Sequence, residues 1–317
     1  MEFLRLLEAA RTPVVTAFLA AVTYMGDETV FMVLAITMFW CVSKRQGYYV
    51  FAVGLGGTVV NQWLKLIFRI PRPWVLDPNF TIVESARAAA TGYSFPSGHT
   101  QNIVGTLGCI AMANRQKWLR VLCGVFILLV PFSRMYLGVH TPLDVGVSFA
   151  AAIVLVLALW PCFRNDERFH QTAKAVLCGL LALTVCYTLW VHMTAFPADV
   201  DAENLEHGMK NAWTLLGCIL GLIVSYIVDE RKLRFDVKAP LLGQLCKLVI
   251  GLVLLIGVRA GLKPALIALF RGSTAIDHPV LRSAVVNGVR YFVMVVFAGC
   301  VWPLTFPFFA KVGAKQN

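Results

Sequence analysis

The sequence has few charged side chains. Only 14% of its 317 residues are Asp, Glu, Lys or Arg, whereas 58% are hydrophobic. Soluble domains carry about a quarter charged residues. This chain therefore cannot cover a water-facing surface, and a soluble globular fold is excluded.

The nine cysteines show no CxxC spacing, and all of them lie in or at the ends of apolar segments. This distribution indicates small packing residues rather than a disulfide framework or a metal site. Tandem repeats and low-complexity linkers are also absent, so we expect one membrane domain. Glu2, Arg5, Glu8 and Arg11 interrupt the apolar region that a cleavable signal peptide needs, so we expect no such signal.

Long apolar runs predict an all-α, polytopic membrane protein, because each approaches or exceeds the ~20 residues that cross a bilayer. Seven runs occupy residues 47–68, 117–137, 141–162, 173–195, 208–228, 240–262 and 284–309. Two shorter candidates lie at 28–43 and 99–113, so we predict about nine transmembrane helices. The charged residues of segment 3–24 give it a polar side, which indicates an interfacial helix or a further short span.

The net charge of +11 does not indicate a nucleic-acid partner, because the basic residues concentrate in alternate short loops. We place these loops in the cytoplasm by the positive-inside bias. The opposite loop, residues 195–207, carries four carboxylates and no Lys or Arg. A later connection departs from the bias, since it contains Arg259, Lys263, Arg271 and Arg282.

The first candidate site segment is basic and ends an apolar helix. Lys65 lies in the last predicted turns of this helix, and Pro71 and Pro73 place Arg72 just beyond its end. Cations also occupy such positions when they snorkel to lipid headgroups, and this alternative stays open for the segment taken alone.

The second segment, Pro96-Ser97-Gly98-His99, opens the next predicted helix. Ser97 is a favourable N-cap, and Gly98 lets backbone N–H groups approach a ligand. Free N–H groups at a helix N-terminus bind anions, and His99 is the first side chain at this position. A lone histidine here would usually be structural.

The third segment begins another helix directly after His140, because Thr141-Pro142 is typical of an N-cap and a first helical residue. Asp144 falls in the first turn, where it caps the helix or accepts the proton of one His140 nitrogen. The second arrangement leaves the other nitrogen as a nucleophile of fixed tautomer. Arg134 ends the preceding helix at the same membrane edge, where ionisable residues are functional candidates.

Helix order brings the three segments to one membrane face. The helices of 47–68 and 117–137 end there, and those of 99–113 and 141–162 begin there. Three cations, two helix N-termini, two histidines and a carboxylate therefore share one face, which predicts a phosphate-handling site. The loop charges place this face on the external or lumenal side.

Together these segments resemble the type 2 phosphatidic acid phosphatase superfamily. Its three signature motifs are matched, complete and in order, by Lys65-x6-Arg72-Pro73, Pro96-Ser97-Gly98-His99 and Ser133-Arg134-x5-His140-x3-Asp144. A further resemblance to the sphingosine-1-phosphate phosphatase branch rests on Gly26-Asp27-Glu28, on residues 140–145 and on extra helices after the core. Gly98 departs from that branch, which has Thr there, and agrees with the wider superfamily.

The resemblance implies a two-step hydrolysis that needs neither a metal nor a cofactor. His140 would attack phosphorus to form a phosphohistidine, with Asp144 orienting the ring. His99 would protonate the departing alcohol and then activate water. The phosphoryl oxygens would be held by Lys65, Arg72, Ser97, Gly98 and Arg134.

The implied architecture is a six-helix phosphatase core in residues 1–165, followed by a C-terminal transmembrane helical extension in residues 166–317. We expect a lipid phosphate phosphatase of a bacterial plasma membrane or the endoplasmic reticulum. Its substrate would be a sphingoid-base phosphate or a similar lipid phosphate. Asp27 or Glu28 would pair with the ammonium of a sphingoid phosphate, although Asp27 is also a suitable cap for the following helix.

Other functions stay open. Phosphatidic acid or polyprenyl (di)phosphate is an alternative substrate, and a glucose-6-phosphatase-like enzyme would share the motifs. A non-catalytic transporter or scaffold would be expected to lose the nucleophile or the acid, whereas His99, His140 and Asp144 are all present. We interpret the acidic residues of the 195–207 loop as a solvated surface rather than a metal site.

Overall fold

The computed structural model describes residues 1–270 and 279–313, and every regular element within these ranges is a helix. This confirms the all-α prediction. Arg271 lies outside the described residues. The helices are α1 (Glu2–Ala9), α2 (Pro13–Val22), α3 (Glu28–Thr37), α4 (Lys44–Phe68), α5 (Pro73–Leu76), α6 (Gly98–Ala113), α7 (Lys117–Tyr136), α8 (Pro142–Phe163), α9 (Asp166–Met193), α10 (Ala202–Val228), α11 (Leu241–Phe270), α12 (Pro279–Val296) and α13 (Phe306–Phe309).

Fewer helices than predicted are long and apolar enough to cross a bilayer. The described residues contain seven: Lys44–Leu76, Lys117–Tyr136, Pro142–Phe163, Asp166–Met193, Ala202–Leu233, Leu241–Phe270 and Pro279–Phe309. The N-terminal pair, Glu2–Ala9 and Pro13–Gly26, is bent by 120° and adds at most one span. The predicted span at 99–113 becomes α6, whose 16 residues reach only about 24 Å of the ~30 Å hydrocarbon core. The described residues thus support seven or eight spans, and the count of nine is not confirmed.

The candidate site residues lie in one compact unit that comprises Met1–Ala35, Tyr49–Arg168 and Phe196–Leu205. Helix α6 is central to this unit, because it packs against both α7 and α8 and is buried along most of its length. A glycine permits one of these close approaches: a Cβ on Gly108 would lie only 3.1 Å from the Val156 side chain. This packing holds the N-terminus of α6 beside the ends of its neighbours.

The N-terminal helix α1 turns its polar side toward the loop that follows α5. Arg5 pairs with Asp77 at 2.5 Å, and Glu8 accepts the backbone N–H of Thr81 at 2.8 Å. The Arg11 guanidinium donates to the carbonyl oxygen of Thr81 at 2.8 Å. The charges that suggested an interfacial helix therefore bind the protein's own loop.

A second compact unit comprises Ile36–Tyr48, Phe169–Ala195 and the described residues from Glu206 onward. Helices α10 and α12 meet here at glycines. A Cβ on Gly217 would overlap the backbone of Gly288, so the Gly217-x-x-x-Gly221 pattern serves close helix contact. The predicted functional division into residues 1–165 and 166–317 stays a prediction.

Candidate active site

The residues of the three motifs converge at the ends of five helices. Lys65 comes from α4, Arg72 precedes α5, His99 opens α6, Arg134 ends α7, and the turn before α8 carries His140. Most of the predicted site side chains are buried, namely Lys65, Arg72, Ser97, Arg134, His140 and Asp144. Gly98 and His99 are half-buried. The structure thus brings together the residues that the motifs predict.

Asp144 is held by a capping box at the start of α8. The Thr141 hydroxyl accepts the Asp144 N–H at 3.3 Å, and Oδ2 of Asp144 accepts the Thr141 N–H at 2.8 Å. The same Oδ2 lies 3.4 Å from Nδ1 of His140. The carboxylate oxygen that caps the helix is thus also the one that lies beside His140, so the two roles that the sequence left as alternatives are compatible.

The tautomer of His140 follows from its other nitrogen. Nη1 of Arg72 lies 3.0 Å from Nε2 of His140, and a guanidinium can only donate. Nε2 therefore presents a lone pair, and the proton of the neutral ring lies on Nδ1, toward Asp144. Burial, reinforced by the positive charge of Arg72, holds the pKa of His140 well below its usual value. The ring is thus neutral at neutral pH, as a nucleophile must be.

Arg72 is anchored to backbone carbonyls on two sides. Its Nε donates to Gly92 at 3.0 Å and its Nη2 to Thr91 at 2.7 Å, while Nη1 donates to Val139 at 3.0 Å. The guanidinium also lies over the Trp74 ring, 5.9 Å from its centroid. These contacts orient the cation toward His140, which headgroup snorkelling would not require.

Lys65 and Arg134 are the other two cations of the site. Nζ of Lys65 donates to the carbonyl of Tyr93, and Nη1 of Arg134 donates to the Thr23 hydroxyl at 3.0 Å. Arg134 is fully buried, yet its Nε and Nη2 have no hydrogen-bond partner among the described residues. Unpaired buried donors are costly, so this guanidinium is suited to receive an anion.

The N-terminus of α6 adds backbone donors. The Ser97 hydroxyl accepts the Thr100 N–H at 3.4 Å, so Ser97 is the predicted N-cap. A Cβ added to Gly98 would meet no atom of the described residues within 4 Å, so there is open space beside this first helical residue. A phosphate oxygen can approach the helix N-terminus there.

Asp27 lies beside this site and also caps α3. Its Oδ1 accepts the Thr29 N–H at 2.8 Å, which is the capping role. The preceding residue, Gly26, is so close to His99 that an added Cβ would lie 2.9 Å from the His99 carbonyl oxygen. Asp27 is also within electrostatic range of Arg134. Glu28 is the exposed first residue of α3.

The sequence missed the role of the loop before α6. Aromatic residues in a loop at the membrane edge usually form an interfacial belt, but Phe80 and Phe95 are buried. Phe80 lies under the guanidinium groups of Arg5 and Arg11, and Phe95 packs against the ring of Phe68. Their burial results from tertiary contacts, because each ring packs against residues that are distant in the chain.

Ser94 was also missed. It is fully buried, and its hydroxyl donates to Oδ2 of Asp144 at 2.6 Å. No pattern in the sequence marks this serine, because its partner lies 50 residues away in α8. The acidic loop likewise contacts the site loop: the Asp201 N–H donates to the Tyr93 hydroxyl at 3.3 Å, although Asp199 is largely exposed.

Comparison with known proteins agrees with this arrangement. A "PAP2 superfamily" model matches residues 45–168, and a "PAP2 superfamily phosphatase, transmembrane extension" model matches residues 213–315. No solved structure matches the chain significantly.

Several curated proteins are similar to parts of the chain. Undecaprenyl-diphosphatase BcrC of Bacillus subtilis is 34% identical over 114 residues, which are 36% of this chain and 55% of that protein. A "Probable sphingosine-1-phosphate phosphatase" of Dictyostelium discoideum is 31% identical over 150 residues, 42% of this chain and 35% of the relative. Sphingosine-1-phosphate phosphatase 1 of Rattus norvegicus is 25% identical over 264 residues, 78% of this chain and 59% of the relative. The chain thus spans between about a third and three fifths of the length of these relatives.

The two matched regions fit the structure. The first contains all three motifs, from Lys65 to Asp144, and the second covers most of α10 to α13. The resemblance seen in the sequence is therefore confirmed: the chain contains a PAP2 superfamily domain in residues 45–168 and the transmembrane extension of PAP2 superfamily phosphatases in residues 213–315.

Proposed function

We propose that this protein is a membrane-embedded phosphatase that hydrolyses the phosphate monoester of a lipid through a phosphohistidine. The observation that carries the proposal is the buried, neutral His140 between a carboxylate and three cations. One of these cations, Arg134, has N–H groups without a hydrogen-bond partner among the described residues. Phosphoryl transfer depends mainly on positioning and on countering negative charge, and this site offers both. The names of the relatives, all phosphatases or diphosphatases, support the same reaction class.

In the first step, the Nε2 lone pair of His140 attacks phosphorus, and the bond from phosphorus to the alcohol oxygen breaks. The Arg72 N–H that meets Nε2 in the empty site turns to a phosphoryl oxygen instead. Asp144 stabilises the positive charge that develops on the imidazole, because it faces Nδ1. His99 gives its proton to the departing alcohol oxygen.

In the second step, His99 takes a proton from water, and the resulting hydroxide displaces His140 from phosphorus. Inorganic phosphate leaves and both histidines return to their starting states. Lys65, Arg72 and Arg134, with Ser97 and the Gly98 N–H, hold the phosphoryl oxygens in both steps. They counter the charge spread over these oxygens.

A phosphate-release assay with a His140→Ala variant tests this reaction. We expect activity to fall at least about 10³-fold, as for other enzymes that lose a nucleophile. Rapid acid-free quenching should trap a phosphoenzyme that is stable to alkali and labile to acid, and the variant should form none. His170→Ala is the matched control, since His170 is an exposed histidine of the second unit that pairs with Glu230. Unchanged phosphate release by His140→Ala would refute the mechanism.

We further propose a sphingoid-base phosphate as the substrate class. Support comes from the relatives named sphingosine-1-phosphate phosphatases and from Asp27, a carboxylate beside the proposed phosphate site. Asp27 or Glu28 pairs with the ammonium group of such a lipid. The relative named undecaprenyl-diphosphatase favours a second candidate, a polyprenyl diphosphate, and relatives named phosphatidylglycerophosphatase B and glucose-6-phosphatase 3 belong in the same comparison.

The substrate is tested with a panel of sphingoid, diacylglycerol, polyprenyl and sugar phosphates. Asp27→Asn separates the two roles of Asp27, because asparagine caps a helix about as well as aspartate. We expect this variant to lose about five- to tenfold on the amine-bearing lipid alone, the size of one partly exposed ion pair. Glu28→Gln tests the neighbouring carboxylate. Equal losses on amine-bearing and amine-free lipids would refute the pairing.

The active site is proposed to open on the external or lumenal side of its membrane, a bacterial plasma membrane or the endoplasmic reticulum. The proposal is supported by the basic loops that lie at the opposite helix ends. Sealed vesicles of known orientation test it, because a water-soluble phosphate ester added outside should be hydrolysed only where the site faces outward.

A further inference from the structure

We propose that Ser94 is a positioning residue, which holds the Asp144 carboxylate in the orientation that His140 needs. The inference rests on the proposed function. Ser94 lies outside the three motifs, is fully buried, and places its hydroxyl oxygen 2.6 Å from Oδ2 of Asp144. Because a carboxylate can only accept, the serine hydroxyl must donate.

Two donors determine the plane of this carboxylate. The Ser94 hydroxyl and the Thr141 N–H both bind Oδ2, at 2.6 and 2.8 Å, whereas Oδ1 has no partner among the described residues. The terminal torsion of an aspartate is otherwise broad. With both donors present, Oδ2 stays 3.4 Å from Nδ1 of His140. Without Ser94, only the Thr141 N–H remains to prevent rotation of the carboxylate.

The backbone of Ser94 is fixed independently of its hydroxyl. Its N–H donates to the carbonyl of Ile70 at 2.8 Å, and the residue before it accepts from Lys65. Removal of the hydroxyl therefore leaves the path of the loop intact. The Ser94 hydroxyl binds Asp144, whereas the carbonyls of Gly92 and Tyr93 bind Arg72 and Lys65. Removal of the hydroxyl therefore tests the contact with Asp144 separately from the contacts with the cations.

The expected effect of Ser94→Ala is a fall in kcat of about 10- to 100-fold, the range for a lost hydrogen bond to a charged group. KM and the inhibition constant of inorganic phosphate should stay within twofold, because the three cations keep their contacts. The rate of phosphoenzyme formation in a single turnover should fall together with kcat. Ser85→Ala is the matched control, since Ser85 is an exposed serine of the same loop.

A double-mutant cycle with Asp144→Asn provides the decisive measurement. If Ser94 acts through Asp144, Ser94→Ala slows phosphoenzyme formation in the native background and changes it less than twofold in the Asp144→Asn background. Equal losses in both backgrounds, or a Ser94→Ala protein that no longer folds, would overturn the proposal, because the role would then be structural. The proposal would also be overturned if Ser94→Ala had the same kinetics as the native protein. Failure of the proposed function would instead appear as phosphate release that is absent from the native protein or survives His140→Ala.

Discussion

Replacement of Arg134 by methionine is expected to abolish activity and to stabilise the empty protein. Arg134 is fully buried at the end of α7, and among the described residues the hydrogen bond of its guanidinium joins Nη1 to the Thr23 hydroxyl at 3.0 Å. Its Nε and Nη2 are buried without a partner in the described part of the chain. A buried cation without an anionic partner lowers the stability of the ligand-free protein.

The size of the effect follows from these contacts. Each unpaired buried donor costs about 1–3 kcal/mol, and the bond to Thr23 returns about 1.5–3 kcal/mol. Exchange of buried charge for a well-packed apolar side chain is commonly stabilising by about 1–4 kcal/mol. We therefore expect Arg134→Met to raise the free energy of unfolding by about 1–3 kcal/mol in the absence of ligand. For a unit of this size, the melting temperature rises by about 2–4 °C per kcal/mol.

Thermal melting in detergent, with and without inorganic phosphate, measures the stability of the ligand-free protein and its stabilisation by phosphate. Phosphate should stabilise the native protein by about 2.7 kcal/mol at one hundred times its Kd, and the variant should gain far less. The control is Arg87→Met, because Arg87 is an exposed arginine paired with Glu84 at 2.7 Å. The reasoning is refuted if Arg134→Met melts below the native protein without ligand, or if both proteins respond equally to phosphate.

Further predictions concern pH, packing and the N-terminal helix. Because burial lowers the pKa of His140, the unfolded state binds a proton that the folded state excludes. The free energy of unfolding should therefore fall as the pH drops below about 6.5, the pKa of histidine in the unfolded chain. Chemical unfolding at several pH values measures this fall, which should be smaller in His140→Gln. Gly217→Ala, whose Cβ would overlap the backbone of Gly288, should destabilise the second unit by about 1–3 kcal/mol in melting experiments. Gly257→Ala should not, because its Cβ would meet no atom within 4 Å in the part of the chain that the structure describes. Glu8→Ala removes the acceptor of the Thr81 N–H and should speed limited proteolysis of the loop after α5, while an unchanged cleavage rate would contradict the anchoring role of α1.

Much of the site was predictable because its signals are local. Thr141-Pro142 and Asp144 form a capping box within one helical turn, and the structure contains it. Ser97 likewise caps α6 from a motif of four residues. The position of Arg72 beyond the end of α4 follows from two prolines. Each of these features depends on neighbours in the chain, which a sequence displays directly.

Other features depend on partners that are distant in the chain. Ser94 and Asp144 are 50 residues apart, and Arg72 and His140 are 68 residues apart. The burial of Phe80 also depends on distant residues, because the guanidinium groups of Arg5 and Arg11 cover its ring. The count of nine spans is not confirmed for a similar reason: α6 is apolar, but its burial among other helices, rather than its length, explains its composition.

The sequence by itself determined the all-α membrane class, the helix starts at Ser97 and Thr141, and the histidines, carboxylate and cations of the site. These properties are encoded by apolar length and by short-range capping. Only the tertiary structure decided which nitrogen of His140 carries the proton, that two Arg134 nitrogens have no partner among the described residues, and that the Ser94 hydroxyl binds Asp144. The physical reason is that hydrogen bonds between helices follow from packing, which no local pattern records.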